Sequence, residues 1–430
     1  RSNFNGQDQE KKTFILNSTN PSFAWARLYD YRLFKYAMYP DPNIWYEDIA
    51  TTPVLLSYAN KITHIRSDLY YYRQRQGSIS HESRNPKILG IIKACERSLD
   101  MCNKKFLPEV EFAIYQTMHE FIKFRPEYVE EYVEFIKKYP SFKENRYIQE
   151  KIATHEFDDL FEKKIVPKKI HYFWFGSEKP AEVLAYIETW KKYAPDYEII
   201  EWNETNCDIN INNYVKEAYE AKKWAFVADY FRLKILYEQG GIYLDTDMEL
   251  KKSIDILRVN ELSFPMETNS VCAGFIAACP QNMYIKEMLD GYEEDHFLLE
   301  DGSYNFKTIV ERITSVLEKY YSISYHCQTV KFPDLILYSP DLFIIDVANG
   351  KNIAEHHYKA TWWDVQSEGS FKYEVLKYYF ETLYIENQKN HKVSIKRKTY
   401  LSLTGGLKRL LPTKMYKGLR QCYRKIKPLK

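Results

Sequence analysis

The chain has 430 residues, of which 45% are hydrophobic, 16% aromatic and 28% charged, with a formal net charge of +2. That length holds two or three ordinary domains, the apolar share is ample for a core, and the near-neutral balance excludes nucleic-acid binding by bulk charge. The seven cysteines, odd in number and without a Cys-x-x-Cys pair, argue against a disulfide scaffold and for reduced thiols.

No run of about 18 apolar residues marks a spanning helix, and no signal peptide is evident, so a cytoplasmic protein is expected. Tyrosine supplies 38 residues. A phenol ring has an apolar face and a polar tip, which suits sugar binding. A codon bias toward Tyr, Lys, Asn and Ile would give the same count.

Residues 1–12 are polar. Residues 22–37 repeat aromatic and apolar side chains at helical spacing until Pro40-Asp41-Pro42 breaks the pattern. Trp45-Tyr46-Glu47-Asp48 follows, then an apolar helix over 54–62, a strand over 68–73 and a turn over 75–81. Residues 1–85 resemble the C-terminal part of glycosyltransferase family 2 domains. There a Tyr-Glu-Asp motif precedes a helix, a Leu-Tyr-x-Tyr-Arg strand and a Gly-Ser-Ile turn. The resemblance implies that Asp48 is the base for an acceptor hydroxyl, with Glu47 beside it. The donor-binding half of such a domain would precede Arg1. A longer parent protein is expected, with a relic serving as scaffold as the alternative.

Residues 86–165 read as a helical connector. Ile88, Ile91, Ile92, Ala94 and Cys95 mark one face, Val110, Phe112, Ile114, Tyr115 and Met118 another, and 128–139 a third. Pro108, Pro126 and Pro140 punctuate them. A further α/β unit over 166–370 opens with a strand at 168–176, a helix at 181–193 and a strand at 197–202, a βαβ pattern. The C-terminal edge of a first strand lies at the ligand crevice of such sheets. Trp174, at that edge, either stacks on a nucleobase or belongs to the core.

Residues 225–239 then form an apolar helix, stopped by Gly240-Gly241 because glycine takes positive φ cheaply at a helix end. A short buried strand, Ile242-Tyr243-Leu244, leads to Asp245-Thr246-Asp247. Should the strand continue, period two turns both carboxylates to one point. Acids that close repel unless a cation lies between them, and Mn²⁺ or Mg²⁺ with open positions for phosphate oxygens fits. Asp229 and Arg232, three apart upstream, suit either a helix-surface ion pair or a built site.

Asp229-x-x-Arg232 followed by Gly240-Gly241-Ile-Tyr243-Leu-Asp245-x-Asp247 is similar to the sugar-transferase signature of glycosyltransferase family 32. It also resembles the catalytic domains of the large clostridial glucosylating toxins. The resemblance implies a GT-A fold, a nucleotide-sugar donor, a divalent metal on Asp245 and Asp247, and retention at the anomeric carbon. By the same resemblance Trp174 stacks on uracil, Asp229 binds sugar hydroxyls and Arg232 contacts the sugar or diphosphate. Tyr243 is then a pocket wall, and Asn269 and Gly274 line the sugar and acceptor site.

The segment Ala354-Glu-His356-His357-Tyr-Lys-Ala-Thr361-Trp362 resembles the family's His-His-x-x-x-Ser-Trp segment. That implies a histidine in the metal shell, with His357 preferred, and Thr361 and Trp362 on the leaving diphosphate. Beyond Glu386 come fourteen Lys or Arg and no acid. Such a tail, 387–430, reads either as attachment to an anionic membrane surface or as a solvated extension.

The expectation is therefore a GT-A-type α/β enzyme with an N-terminal α/β remnant, a helical connector and a helical basic tail over 371–430. It moves a hexose from a UDP-sugar to a saccharide, lipid-linked glycan or glycoprotein acceptor, as in capsular polysaccharide synthesis. It would act in the cytoplasm, with the inner face of the membrane as a possible station. Two alternatives stay open: a non-catalytic subunit keeping the fold, and a metal-dependent nucleotidyl or phosphoryl transferase.

Overall fold

The structure is a computed structural model. It describes residues 2–3, 8–17, 27–40, 45–64, 85–176, 178–324, 327–359 and 370–389. The chain divides into two compact units, Arg1–Lys163 and Lys164–Lys430.

In the first unit a two-residue strand, β1 (Ser2–Asn3), pairs antiparallel with β2 (Thr63–His64). The helices are α1 (Asp8–Leu16), α2 (Thr52–Tyr58), α3 (Gly90–Met101), α4 (Leu107–Phe124), α5 (Val129–Lys137), α6 (Ser141–Glu144) and α7 (Arg146–Ala153). Pro53 sits in the first turn of α2, where its missing N–H and fixed φ do no harm. Helix α4 is the axis of the bundle: Val110, Ala113, Ile114, Tyr115 and Met118 are all fully buried. Asp48 is half-buried and its carboxylate accepts the N–H of Ile49 at 2.9 Å. The strand and turn expected over 68–81 lie outside the described residues.

The second unit is built on a seven-stranded sheet. Its strands are β3 (Lys169–Phe173), β4 (Glu198–Trp202), β5 (Gly241–Leu244), β7 (Leu262–Pro265), β8 (Phe275–Ala278), β9 (Val330–Lys331) and β10 (Leu335–Tyr338), ordered β4-β3-β5-β8-β7-β10-β9. The β3–β4, β3–β5 and β7–β10 pairs are parallel, and β8 runs antiparallel to both β5 and β7. A separate two-stranded sheet joins β6 (Met248–Leu250) to β11 (Ala354–His356), placing Glu355 opposite Glu249 and His356 opposite Met248. The helices are α8 (Ala181–Tyr193), α9 (Asn213–Glu220), α10 (Trp224–Gln239), α11 (Met283–Asp290), α12 (Ile309–Tyr320), α13 (Pro340–Phe343) and α14 (Ser370–Lys389).

Alternation along the strands sorts the side chains into two cores, one on each face of the sheet. Ile242, Leu244, Phe275 and Ala277 pack with Ile187 and Trp190 of α8. Tyr243, Ile276 and Ala278 pack with α9, α10, α11 and α12. This mixed sheet, with three parallel and three antiparallel pairs and helices on both faces, is an α/β architecture of the class expected. A third cluster seats Val375, Leu376 and Tyr379 of α14 on Cys272, Ile344, Ile345 and Val347. Among the described residues no helix is long and apolar enough to cross a membrane.

Candidate active site

Helix α10 is apolar around most of its circumference, and it is buried from Phe226 through Leu233. It ends at Gly240 (φ +63°), and Gly241 (φ +107°) starts β5. Space forbids side chains there as firmly as φ does. A Cβ at Gly240 would lie 2.6 Å from the Pro280 ring, and one at Gly241 would lie 2.9 Å from His171 Nε2. His171 is itself fully buried. Its Nε2 meets the Gly240 carbonyl at 2.9 Å while its Nδ1 accepts the Trp202 indole N–H at 3.1 Å. Those partners assign the neutral tautomer with the proton on Nε2. Burial lowers its pKa to about 4, with the Gly240 bond opposing. The histidine of the first strand thus ties β3, β4 and the end of α10 together.

Strand β5 stops at Leu244, so the two acids do not share a continuing pleat. A tight turn brings them round instead, closed by the Met248 N–H on the Asp245 carbonyl at 3.0 Å. Asp245 donates its own N–H to the Gly274 carbonyl at 2.8 Å. Its Oδ1 accepts the Tyr243 hydroxyl and lies 3.5 Å from Arg232 Nη1. Tyr243 is 3% exposed and its ring lies under the Arg232 guanidinium at 4.4 Å. It braces Asp245 from within the core, which is a different placement from the pocket wall expected of it.

Asp229 and Arg232 are both buried and form an ion pair at 2.9 Å. Arg232 also donates to the Ala273 carbonyl at 2.8 Å. Burial pushes the Asp229 carboxyl up to about 6 against the opposing charge of Arg232, while Asp245 adds to the rise. This is a fixed device linking α10, the 271–274 segment and Asp245, not a solvated pair on a helix surface.

The third member of the cluster is His356. Its Nε2 is 3.2 Å from Asp247 Oδ1 and 4.0 Å from Asp245 Oδ2. One ligand atom from each of Asp245, Asp247 and His356 lies within 4.8 Å of the others. Asp247 Oδ2 accepts the Lys359 N–H at 2.7 Å. Burial would raise the Asp247 carboxyl, but the His356 charge and these hydrogen bonds hold it down at about 2. Burial would lower the His356 pKa, and Asp247 first among the acids lifts it to about 9. Gly274 forms the back of the cluster: a Cβ there would lie 2.6 Å from Asp245 Oδ2 and 3.1 Å from His356 Cε1.

His357, preferred from the sequence as the metal ligand, points elsewhere. Its Nε2 meets Glu249 Oε2 at 3.0 Å, and its ring stacks on Tyr186 at 4.7 Å. The reason is strand parity. On β11 Ala354 and His356 face inward and Glu355 between them is less buried, so His357 falls on the other side.

Trp174 follows β3 at its C-terminal end, partly buried against the core on the α8 face. Asn269 is exposed in the turn closed by the Glu267 N–H on the Ser270 carbonyl. Thr361 and Trp362 lie outside the described residues. Sequence reasoning passed over Glu267, Cys272 and Tyr358, which lie behind His356. The available signal was an acid, Glu267, two residues after the buried strand β7.

Residues 180–264 match the family described as glycosyltransferase sugar-binding region containing DXD motif. Over 105 residues the chain is 33% identical to the initiation-specific alpha-1,6-mannosyltransferase of Candida albicans, covering 22% of this chain and 27% of that protein. Over 126 residues it is 28% identical to inositol phosphoceramide mannosyltransferase 3 of Schizosaccharomyces pombe, covering 26% and 34%. Over 164 residues it is 24% identical to subversion of eukaryotic traffic protein A of Legionella pneumophila, covering 30% and 26%. The matched parts thus span about a quarter to a third of the length of these curated relatives. Among solved structures, PaToxG glycosyltransferase aligns over 37% of this chain and 71% of that one, at 18% identity and a TM-score of 0.29. Asp229, Arg232, Asp245 and Asp247 all fall within the matched residues, so the unit carries a glycosyltransferase domain of DXD type that is similar to family 32.

Proposed function

We propose that the chain is a retaining, metal-dependent hexosyltransferase that uses a nucleoside-diphosphate hexose, UDP-linked in the first instance, and a saccharide acceptor. The observation that carries this reading is the convergence of Asp245, Asp247 and His356 on one point backed by Gly274. Two carboxylates suit Mn²⁺ or Mg²⁺, the added imidazole favours Mn²⁺ of the two, and a protein supplying three ligands leaves positions for phosphate oxygens. A divalent ion held there would neutralise the diphosphate as its bond to the sugar breaks.

The chain's own residues supply the rest. Arg232 and Tyr243 fix Asp245 in one rotamer, and the Lys359 N–H fixes Asp247. Asp229, close to the pair, accepts hydroxyls of the donor sugar, and Trp174 stacks on the base. The acceptor hydroxyl attacks from the face the diphosphate leaves and gives its proton to the departing phosphate, so configuration is retained. The acceptor would be a lipid-linked or surface polysaccharide, or a glycoprotein glycan. The basic residues 387–430 would hold the enzyme at an anionic membrane surface on its cytoplasmic side.

The test is a screen of nucleotide sugars with Mn²⁺, reading released nucleotide and free sugar. Because two of the relatives are named mannosyltransferases, nucleotide-linked mannose joins UDP-glucose and UDP-galactose in that screen. Release of both nucleoside diphosphate and hexose supports the reading. A scaffold subunit would release neither, and a nucleotidyl transferase would release no free sugar.

A further inference from the structure

The far side of His356 is as carefully built as the side that faces the acids. Its Nδ1 lies 3.8 Å from Cys272 Sγ and 3.9 Å from Glu267 Oε1. Tyr358 lays its ring on the imidazole at 4.0 Å and donates its hydroxyl to Glu267 Oε1 at 3.0 Å. Glu267 is 7% exposed and Cys272 1%. The thiol of Cys272 also bonds to the Glu267 carboxylate. Glu267 therefore faces a phenol, a thiol and an imidazole, with the Asp245 carboxylate beyond.

Burying a carboxylate is expensive, and a bare packing role would be served as well by an uncharged side chain. The position suggests a task for the charge. An imidazole ligates only through a nitrogen that has no proton, so a ligand at Nε2 must carry its proton on Nδ1. In a buried pocket that Nδ1–H needs an acceptor, and metal-bound histidines regularly find one in a carboxylate behind them. Here the Cys272 sulfur is within reach at 3.8 Å, and the Glu267 carboxylate, bonded by the same thiol, lies behind it at 3.9 Å from Nδ1.

We infer that Glu267, with Cys272 and Tyr358, is the positioning group that, when a metal ion replaces the Nε2 proton, keeps the remaining proton of His356 on Nδ1 and so presents a bare Nε2 beside Asp245 and Asp247. This rests on the metal reading above and adds to it the residues that make the histidine a ligand. Tyr358 fixes the carboxylate, the Cys272 sulfur accepts the Nδ1–H hydrogen bond while its own S–H donates to Glu267, and the ring keeps one orientation.

The experiment measures Mn²⁺ affinity directly, from the free-ion electron paramagnetic resonance signal in the presence of UDP. It uses the whole chain and three variants. Glu267→Gln should weaken Mn²⁺ binding about 10–100-fold. At saturating Mn²⁺ its donor-hydrolysis kcat should return to within a few fold of wild type. Tyr358→Phe removes only the hydroxyl that fixes Glu267 and should weaken binding several-fold, which keeps the test open should Glu267→Gln fail to fold. Glu249→Gln, the partner of His357, removes a nearby charge without touching His356 and should leave affinity within about twofold. The inference is overturned if Glu267→Gln or Tyr358→Phe binds Mn²⁺ as wild type does, or if Glu249→Gln weakens it equally. Wild-type protein that binds no Mn²⁺ would instead sink the metal reading itself, and this inference with it.

Discussion

Gly274→Ala isolates the geometry of the acid cluster better than removal of an acid does. The backbone at Gly274 is not left-handed, so alanine fits there without strain of its own. The added methyl would lie 2.6 Å from Asp245 Oδ2, and contacts of 3.0–3.4 Å are already tight, so the carboxylate must retreat by about 0.4–0.8 Å. It cannot simply rotate away. Tyr243 and Arg232 hold its other oxygen, and the Asp245 N–H is bonded to the Gly274 carbonyl. His356 Cε1, at 3.1 Å from the same methyl, must also give. A misplacement approaching 1 Å costs on the order of 10²-fold in rate. The expected result is a 10–100-fold fall in kcat/KM for donor hydrolysis, about 1.4–2.7 kcal/mol, with a raised Mn²⁺ requirement. Thermal unfolding should shift by only a few degrees, because the strain falls on side chains at the cleft. Wild-type rates at the wild-type Mn²⁺ requirement would refute the assignment of Asp245, His356 and Gly274 to one site.

Three further outcomes are expected. His356→Asn should lose Mn²⁺ binding in calorimetric titration by at least about tenfold, whereas His357→Asn should stay within a few fold; the reverse order would contradict the strand parity of β11. Tyr243→Phe should lower donor-hydrolysis kcat/KM about 10–100-fold, the worth of one hydrogen bond to a carboxylate, with the fold retained by circular dichroism. His171 has a folded pKa of about 4 against an ordinary 6.5, so it binds fewer protons folded than unfolded. Its contribution is complete above pH 6.5 and is lost as pH falls toward 4, worth about 3 kcal/mol in full. Denaturant unfolding of His171→Gln should therefore depend less steeply on pH between 6.5 and 4 than the wild type does.

Much of this site was legible in the residues. An apolar stretch stopped by two glycines, a four-residue strand and two acids two apart defines a local arrangement that tertiary contacts have little room to change. The same holds for α8, whose span was expected over 181–193 and is found there. What the sequence left out was parity. Whether His356 or His357 faces the acids depends on the register of β11 against β6, a pairing about a hundred residues apart in the chain. The convergence of Asp245 and Asp247 was anticipated through a continuing pleat, whereas a turn after Leu244 produces it. The roles of Glu267 and Cys272 were not legible for a related reason: they come from lying behind His356, 89 and 84 residues further on.

The most direct trial of the account is release of nucleoside diphosphate from a nucleotide hexose, followed with Mn²⁺ and with chelator, for wild type and for Asp245→Asn with Asp247→Asn. The account predicts metal-dependent release by the wild type, reversible on chelation, and none by a doubly substituted protein that still unfolds cooperatively. Release that survives chelation, or that the double variant performs at the wild-type rate, would contradict it.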